Sequence, residues 1–316
     1  MECIEEEIYM TKRLLNANVS DIVNFSNEEL KQSIKANEGR TVLSENVVIH
    51  EPLIPNITNS EVAKSFGADL ILLNAFDVFN PIVLGMYDYS TMDKAVPNDN
   101  VVTDLKKYTG RPIGLNLEPV DLEAEMAEEK LEIAEGRKAT KETLEKANKL
   151  GFDFVCLTGN PGTGVTNSQI IKAIKIAKAN FNGLIIAGKM HGAGVSEKVV
   201  DLDSISKFIE AGADIIMVPA VGTVWGVGEE EVREAVRLAH QKNALVMSAI
   251  GTSQEGSDEE TIRDIAIRNK ILGVDIQHIG DAGYAGVAPV ENIFALSKAI
   301  RGRRHTISMI SRSILR

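Results

Sequence analysis

The chain has 316 residues, 44% hydrophobic and 25% charged, with 34 Lys and Arg against 45 Asp and Glu and a formal net charge of −11. This is the profile of a soluble globular protein. Its negative charge repels the nucleic-acid backbone and anionic membranes, so neither is an expected partner. No run approaches 18 consecutive apolar residues, which excludes a transmembrane helix. The two cysteines, Cys3 and Cys156, give no disulfide framework, so a reducing cytoplasm is the expected compartment.

The chain opens on MECIEEEIYMTKRLL, acidic where a signal peptide is basic and then apolar. Met10 is an alternative start that would make residues 1–9 an upstream extension. Residues 1–40 read as an N-terminal helical extension carrying SNEELKQSIKANEG. Short apolar runs then alternate with amphipathic stretches. The strand candidates are 41–50, 69–76, 112–119, 152–160, 183–191, 214–222, 244–252 and 274–282. Stretches of helical period follow them, such as SQIIKAIKIAKANF and EEEVREAVRLAHQKN. FGAD, LGFD, AGAD and LGVD recur where a helix gives way to a strand, with Gly suited to the left-handed C′ position.

Continuous apolar strands separated by helices imply a parallel sheet covered on both faces. Eight units over 41–303 give the expected fold: an α/β chain forming a single (β/α)8 (TIM) barrel. Residues 304–316 follow as a basic C-terminal tail, set against an acidic N-terminus and an acidic 122–136 segment. That complementarity suggests a homo-oligomer. The long excursions 77–100 and 119–137 are expected to be functional or mobile, the second helical in pattern.

In such barrels the site lies at the carboxyl ends of the strands. Lys189 and His191, two apart after the fifth run, are expected to point the same way into it. Lys189 is the lysine that ends an apolar strand. Partly dry, it is a Schiff-base or base candidate; kept protonated, it would hold an anion or an enolate. His191 is its expected proton-transfer partner. Glu118 on the third strand and His278 on the eighth complete the catalytic candidates. Asn74, Asn116 and Asn160 are expected to bind substrate. Gly251, Thr252, Ser253, Gly280, Asp281, Gly283 and Gly286, in the loops after strands seven and eight, are expected to hold phosphate through backbone N–H groups. A divalent ion such as Mg²⁺, if used, would draw on Glu51, Glu118 and Asp121.

The segments VVIHEPLIP, GADLILLNAFDV and FVCLTGNPGTG resemble phosphate-binding (β/α)8 barrels of the phosphoenolpyruvate mutase and BtpA-like types. RLLNANVSDI and EGRTVLSEN look like an uncharacterised bacterial barrel family. The first resemblance implies an acidic Mg²⁺ site and carbon–phosphorus or carbon–carbon bond chemistry on a 2-oxo acid, although no match to that family's acidic cluster or catalytic loop is found. The expected function is an enzyme acting on a small phosphorylated or carboxylated metabolite. Its chemistry would be that of an aldolase-like lyase or an isomerase, through an enolate or a Schiff base. The alternatives are a non-catalytic metabolite-binding or scaffold barrel and a flavin-dependent barrel.

Overall fold

A computed structural model describes residues 11–126, 129–281, 283 and 285–316. Its eight parallel strands close in sequence order into a barrel. They are β1 Thr41–Val47, β2 Leu70–Asn74, β3 Ile113–Leu117, β4 Phe154–Leu157, β5 Leu184–Gly188, β6 Ile215–Pro219, β7 Leu245–Ile250 and β8 Ile276–Ile279. Two short helices, α1 Val19–Ile22 and α2 Asn27–Lys35, precede β1. The outer ring is α3 Asn59–Phe66, α4 Val101–Thr109, α5 Lys141–Leu150, α6 Asn167–Asn180, α7 Leu202–Ala211, α8 Glu229–Gln241, α9 Glu259–Leu272 and α10 Val290–Ser311. Among the described residues no helix is long and apolar enough to cross a membrane.

Alternation along each strand divides the core into two layers. Leu43, Leu70, Leu72, Phe154, Ile186, Met217 and Ile276 fill the barrel interior, joined by Leu14, Ala17, Leu30 and Ile34 from the N-terminal segment. Val42, Ile71, Leu73, Ile185, Ala187 and Val246 face outward against the helices. The N-terminal segment therefore plugs the end of the barrel rather than standing apart from it.

The recurring Gly-x-Asp junctions do more than end helices. Gly67, Gly151, Gly212 and Gly273 all take the left-handed conformation at a helix C-cap, as the sequence implied. Two residues on, the Asp N–H and carboxylate clasp the preceding strand. Asp69 does so at Val42, Asp153 at Ile113, Asp214 at Ile185 and Asp275 at Val246, each carboxylate accepting a strand N–H at 2.8–3.1 Å. Each carboxylate also meets a basic side chain: Arg301, Lys106, Lys31 and His240 respectively. The device locks the even strands onto the odd ones.

His240 in the last turn of α8 illustrates its pH dependence. Its hydrogen bond to Asp275 (2.8 Å) outweighs partial burial and holds its pKa above 6.5. A raised histidine pKa stabilises the fold at pH below the unfolded value, and that contribution is lost as pH rises through the folded value. His240→Gln should therefore lower the melting temperature in mildly acidic buffer and change it little in alkaline buffer, measured by thermal denaturation across pH.

The sequence reading needs correction at the second excursion and at the terminus. The described residues of 119–137 form no α-helix, only a 3₁₀ turn at Glu135–Arg137. Residues 77–100 also lack an α-helix and build a small apolar cluster from Ile82, Leu84 and Tyr89. Residues 304–311 are not a loose tail. They continue α10 past a break at Gly302 (φ 73°), and the chain then folds back onto the N-terminal segment. There Arg312 reaches the carbonyls of Ala17 and Leu15, and the Ser20 N–H meets the Arg316 carbonyl at 2.9 Å. Cys156 is buried in the inner layer, as a small core residue. Cys3 and Met10 lie outside the described residues.

Candidate active site

A cavity of about 570 Å³ opens at the carboxyl ends of the strands, its wall formed by Glu45, Val47, Asn74, the loop 160–161, the loop 190–194, and the loops after β7 and β8. The site is built from inward-facing positions. On β1, Leu43 faces inward, so Glu45, two residues on, does too. Its carboxylate accepts from Asn74 Nδ2 (2.7 Å) and pairs with His278 Nε2 (2.7 Å), a fully buried imidazole. Burial pushes the Glu45 carboxyl up. The hydrogen bond and charge of His278, the Asn74 amide and the charge of His191 together outweigh burial and hold its pKa below 4.5. Glu45 is thus an anion at neutral pH, and an ionised carboxylate only accepts, so His278 Nε2–H donates to it.

A second carboxylate stands behind the wall. Glu118, 1% exposed, accepts from Arg137 Nη2 (2.8 Å), Asn160 Nδ2 (2.8 Å) and Asn160 N (2.9 Å). Asn160 and Asn74 exchange amide hydrogen bonds at 2.8 and 3.1 Å, and Asn116 donates to Asn74 Oδ1 at 3.1 Å. A continuous chain, Arg137–Glu118–Asn160–Asn74–Glu45–His278, fixes the floor. Glu118 and His278, expected at the reacting centre, do not reach the cavity wall. They set the orientation of Asn160 and Glu45, which do.

Lys189 and His191 part company. Strand β5 points Leu184 and Ile186 inward, which puts Lys189 in phase with outward-facing Ile185 and Ala187. Lys189 is accordingly 2% exposed and bonded to Glu197 Oε2 at 2.5 Å. The same oxygen accepts the Asn167 N–H at the start of α6 at 2.8 Å. Lys189 is not part of the cavity wall, contrary to the sequence expectation. The strand stops at Gly188 (φ 151°), where a β-carbon would lie 2.0 Å from the Met217 carbonyl oxygen. Beyond Lys189 the two-residue alternation no longer holds, and His191 lines the cavity. Burial lowers the His191 pKa below 6.5; Glu45 and Glu118 oppose this and Lys189 adds to it. Its Nδ1 accepts the Ala193 N–H at 3.0 Å. The neutral ring therefore carries its proton on Nε2.

Gly251, Thr252 and Ser253 after β7 line the cavity, as do Gly280, Asp281 and Gly283 after β8. Thr252 and Ser253 hold left-handed backbones (φ 55° and 68°), costly for a β-branched residue. The Thr252 hydroxyl is shared by the Thr223 and Gly251 carbonyls, so it braces the loop. Asp281 has its pKa raised above 3.8, by burial first and then by the Glu45 charge. Gly286 is not on the wall; its carbonyl accepts the Val47 N–H (2.9 Å), seating the loop on β1. Glu255, which the sequence reading passed over, is buried on the wall. Glu197 and Arg137 were missed as well, since each lies in a loop whose pattern says nothing of its partner.

The residues expected to hold Mg²⁺ do not converge. Glu51 is exposed, Glu118 is saturated by Arg137 and Asn160, and Asp121 accepts from Thr166 Oγ1 (2.8 Å) and the Glu123 N–H (3.1 Å). Among the described residues no three His, Cys, Asp or Glu side chains gather as a metal site. This donor set does not fit the acidic Mg²⁺ cluster that the family resemblance implied.

Among solved structures, the chain is similar to a thiamine phosphate pyrophosphorylase from Pyrococcus furiosus, at 15% identity and a TM-score of 0.48, covering 84% of this chain and 97% of the other. It is also similar to 2,3-dimethylmalate lyase, a member of the PEP mutase/isocitrate lyase superfamily, at 12% identity and a TM-score of 0.47, covering 81% of each. No residue role is carried over from either. No curated protein matches the sequence. One family model, described as a domain of unknown function (DUF7916), matches residues 15–316.

Proposed function

The chain belongs to the DUF7916 family, and we propose that it is an enzyme of the lyase or isomerase class, moving protons on a small polar metabolite in the cavity at the carboxyl ends of the strands. One observation carries this reading. A single cavity brings together a carboxylate held ionised, Glu45, a carboxyl whose pKa is pushed up, Asp281, and an imidazole kept neutral, His191. Groups whose environments push their pKa values apart divide acid and base roles between them.

In the proposed reaction, ionised Asp281 takes the proton from a carbon beside a substrate carbonyl. A carboxylate of raised pKa is a better base than an ordinary one. The electron pair moves onto the carbonyl oxygen, which accepts a hydrogen bond from His191 Nε2–H. Return of the proton to a neighbouring carbon gives isomerisation, and expulsion of a leaving group gives a lyase. Glu45, fixed by Asn74 and His278, orients the substrate's donor groups. A Schiff base at Lys189 is not part of this scheme, because the ammonium is buried against Glu197 and lies off the wall.

The test is conversion of a metabolite extract, followed by mass spectrometry. The protein should deplete one class of small molecule, and His191→Gln should slow that depletion by roughly 10²–10⁴-fold. Turnover unchanged by His191→Gln and by Asp281→Asn would place the chemistry elsewhere. Binding without turnover would favour the scaffold reading.

A further inference from the structure

We infer that the cavity accepts a ligand through a protonated amine placed against Glu45 and Asp281, and not through a phosphate or carboxylate. This inference rests on the cavity being the functional site. Three carboxyl side chains, Glu45, Glu255 and Asp281, line it, and His191 is the sole basic side chain among its described lining residues. Ala282 and Tyr284, the two neighbours in the β8 loop outside the described residues, add no cation by their identity.

The lysines and the arginine around the mouth are already committed, and His50, whose charge reaches Asp281, is an exposed imidazole off the cavity wall. Lys189 is paired with Glu197, Arg137 with Glu118, and Lys130 with the Asp121 carbonyl. The glycine loop after β8 has the composition of an anion cradle, but the protein's own Asp281 carboxylate takes the Gly283 N–H there. A phosphate would enter beside that carboxylate and beside ionised Glu45. Like charges sharing one cavity disfavour the bound state, whereas an ammonium would relieve the repulsion between Glu45 and Asp281.

A second observation points the same way. The Asn116 Oδ1 is buried, its residue 4% exposed, and has no hydrogen-bond partner among the described residues. It lies on the inner face of β3, next to Asn74 on the cavity wall. A buried acceptor without a donor is costly. Asn116 is itself off the cavity wall, one hydrogen bond behind Asn74, so a ligand that reaches past Asn74 would meet an acceptor that only N–H or O–H groups satisfy. An ammonium brings three donors and no acceptor.

The test follows the His191 imidazole resonance of the full chain by NMR near neutral pH, with ethanolammonium chloride and inorganic phosphate added separately at matched ionic strength. Ethanolammonium should shift the resonance with an apparent affinity at least about tenfold above that of phosphate. Asp281→Asn should weaken that response. The comparison of the two probes on the unsubstituted protein decides the matter even if the variant does not fold. A larger response to phosphate, or no response to either probe, overturns the inference. The pH titration of the same resonance without a probe separates the two levels. A His191 pKa at or above 6.5 undermines the proposed acid–base site itself. A lowered pKa with a preference for phosphate overturns only the ligand class.

Discussion

Glu45→Gln lowers the pKa of both titrating neighbours on the cavity wall and weakens the fold. The Glu45 charge raises His191 and Asp281, so its removal should move His191 further below 6.5 and return Asp281 toward 3.8. The buried His278 exchanges a carboxylate acceptor for a neutral amide, a loss of about 1.5–3 kcal/mol from a charged hydrogen bond. The sign of the pH dependence follows from the depressed carboxyl pKa. Its stabilisation is present above the unfolded value and lost as pH falls through the folded one. The stability gap between Glu45→Gln and the parent should therefore be widest near neutrality and close in acid. NMR titration and urea unfolding at several pH values check both halves. Unmoved His191 and Asp281 titrations would show that Glu45 does not set the electrostatics of the cavity.

Arg301→Ala should destabilise the protein by about 3–5 kcal/mol, the cost of stranding a buried charge. Arg301 Nη1 lies 2.5 Å from Asp69 Oδ2, with both side chains fully buried. The guanidinium also reaches Ser297 Oγ (3.0 Å) and the Gly67 carbonyl. Asp69 meanwhile clasps Val42 on β1, so the substitution loosens helix α10, the helix–strand junction before β2, and β1 together. Arg301→Ala combined with Asp69→Asn should recover part of the loss, since the stranded charge is then gone. Urea denaturation measures this, and a single-variant change below about 1 kcal/mol, the range of an exposed pair, would contradict it.

The barrel was legible because its signals are local and repeated. A run of strand length, a helical stretch and a Gly-x-Asp junction recur, and each states a backbone requirement without reference to distant residues. The clasp made by each junction Asp was not legible. It depends on which strand lies alongside, and Arg301 is 232 positions from Asp69 in the chain. The site was half legible for a related reason. Strand-end positions gave the cavity-lining Asn74, Asn160, His191, Thr252, Ser253 and Asp281. They did not separate inward from outward residues, because both faces of a parallel barrel strand are apolar. Lys189 shows the consequence. Counting from Leu184 and Ile186 would have placed it outward, but nothing in the sequence says which of the two alternating sets faces in. Glu45 shows the converse. Its position on β1 was plain, while the His278 and Asn74 partners that hold it ionised come from other strands. Glu51, Glu118 and Asp121 do not form one ligand set, because they share a mouth by topology yet each has a different neighbour or faces solvent.

The central claim is that one cavity holds an ionised Glu45 beside a neutral His191. The direct measurement is the pH titration of the His191 ring resonance in the folded protein, assigned with His191→Gln. The account predicts a midpoint below 6.5, with the proton on Nε2 above it and Nδ1 bonded to the Ala193 N–H. It also predicts that protonating His191 costs stability, so unfolding becomes easier as pH falls from 6.5 toward that midpoint. A midpoint at or above 6.5 would mean that the ring sits in solvent or is held charged by the carboxylates. Either would contradict the assignment of His191 as a neutral hydrogen-bond donor to the reacting oxygen.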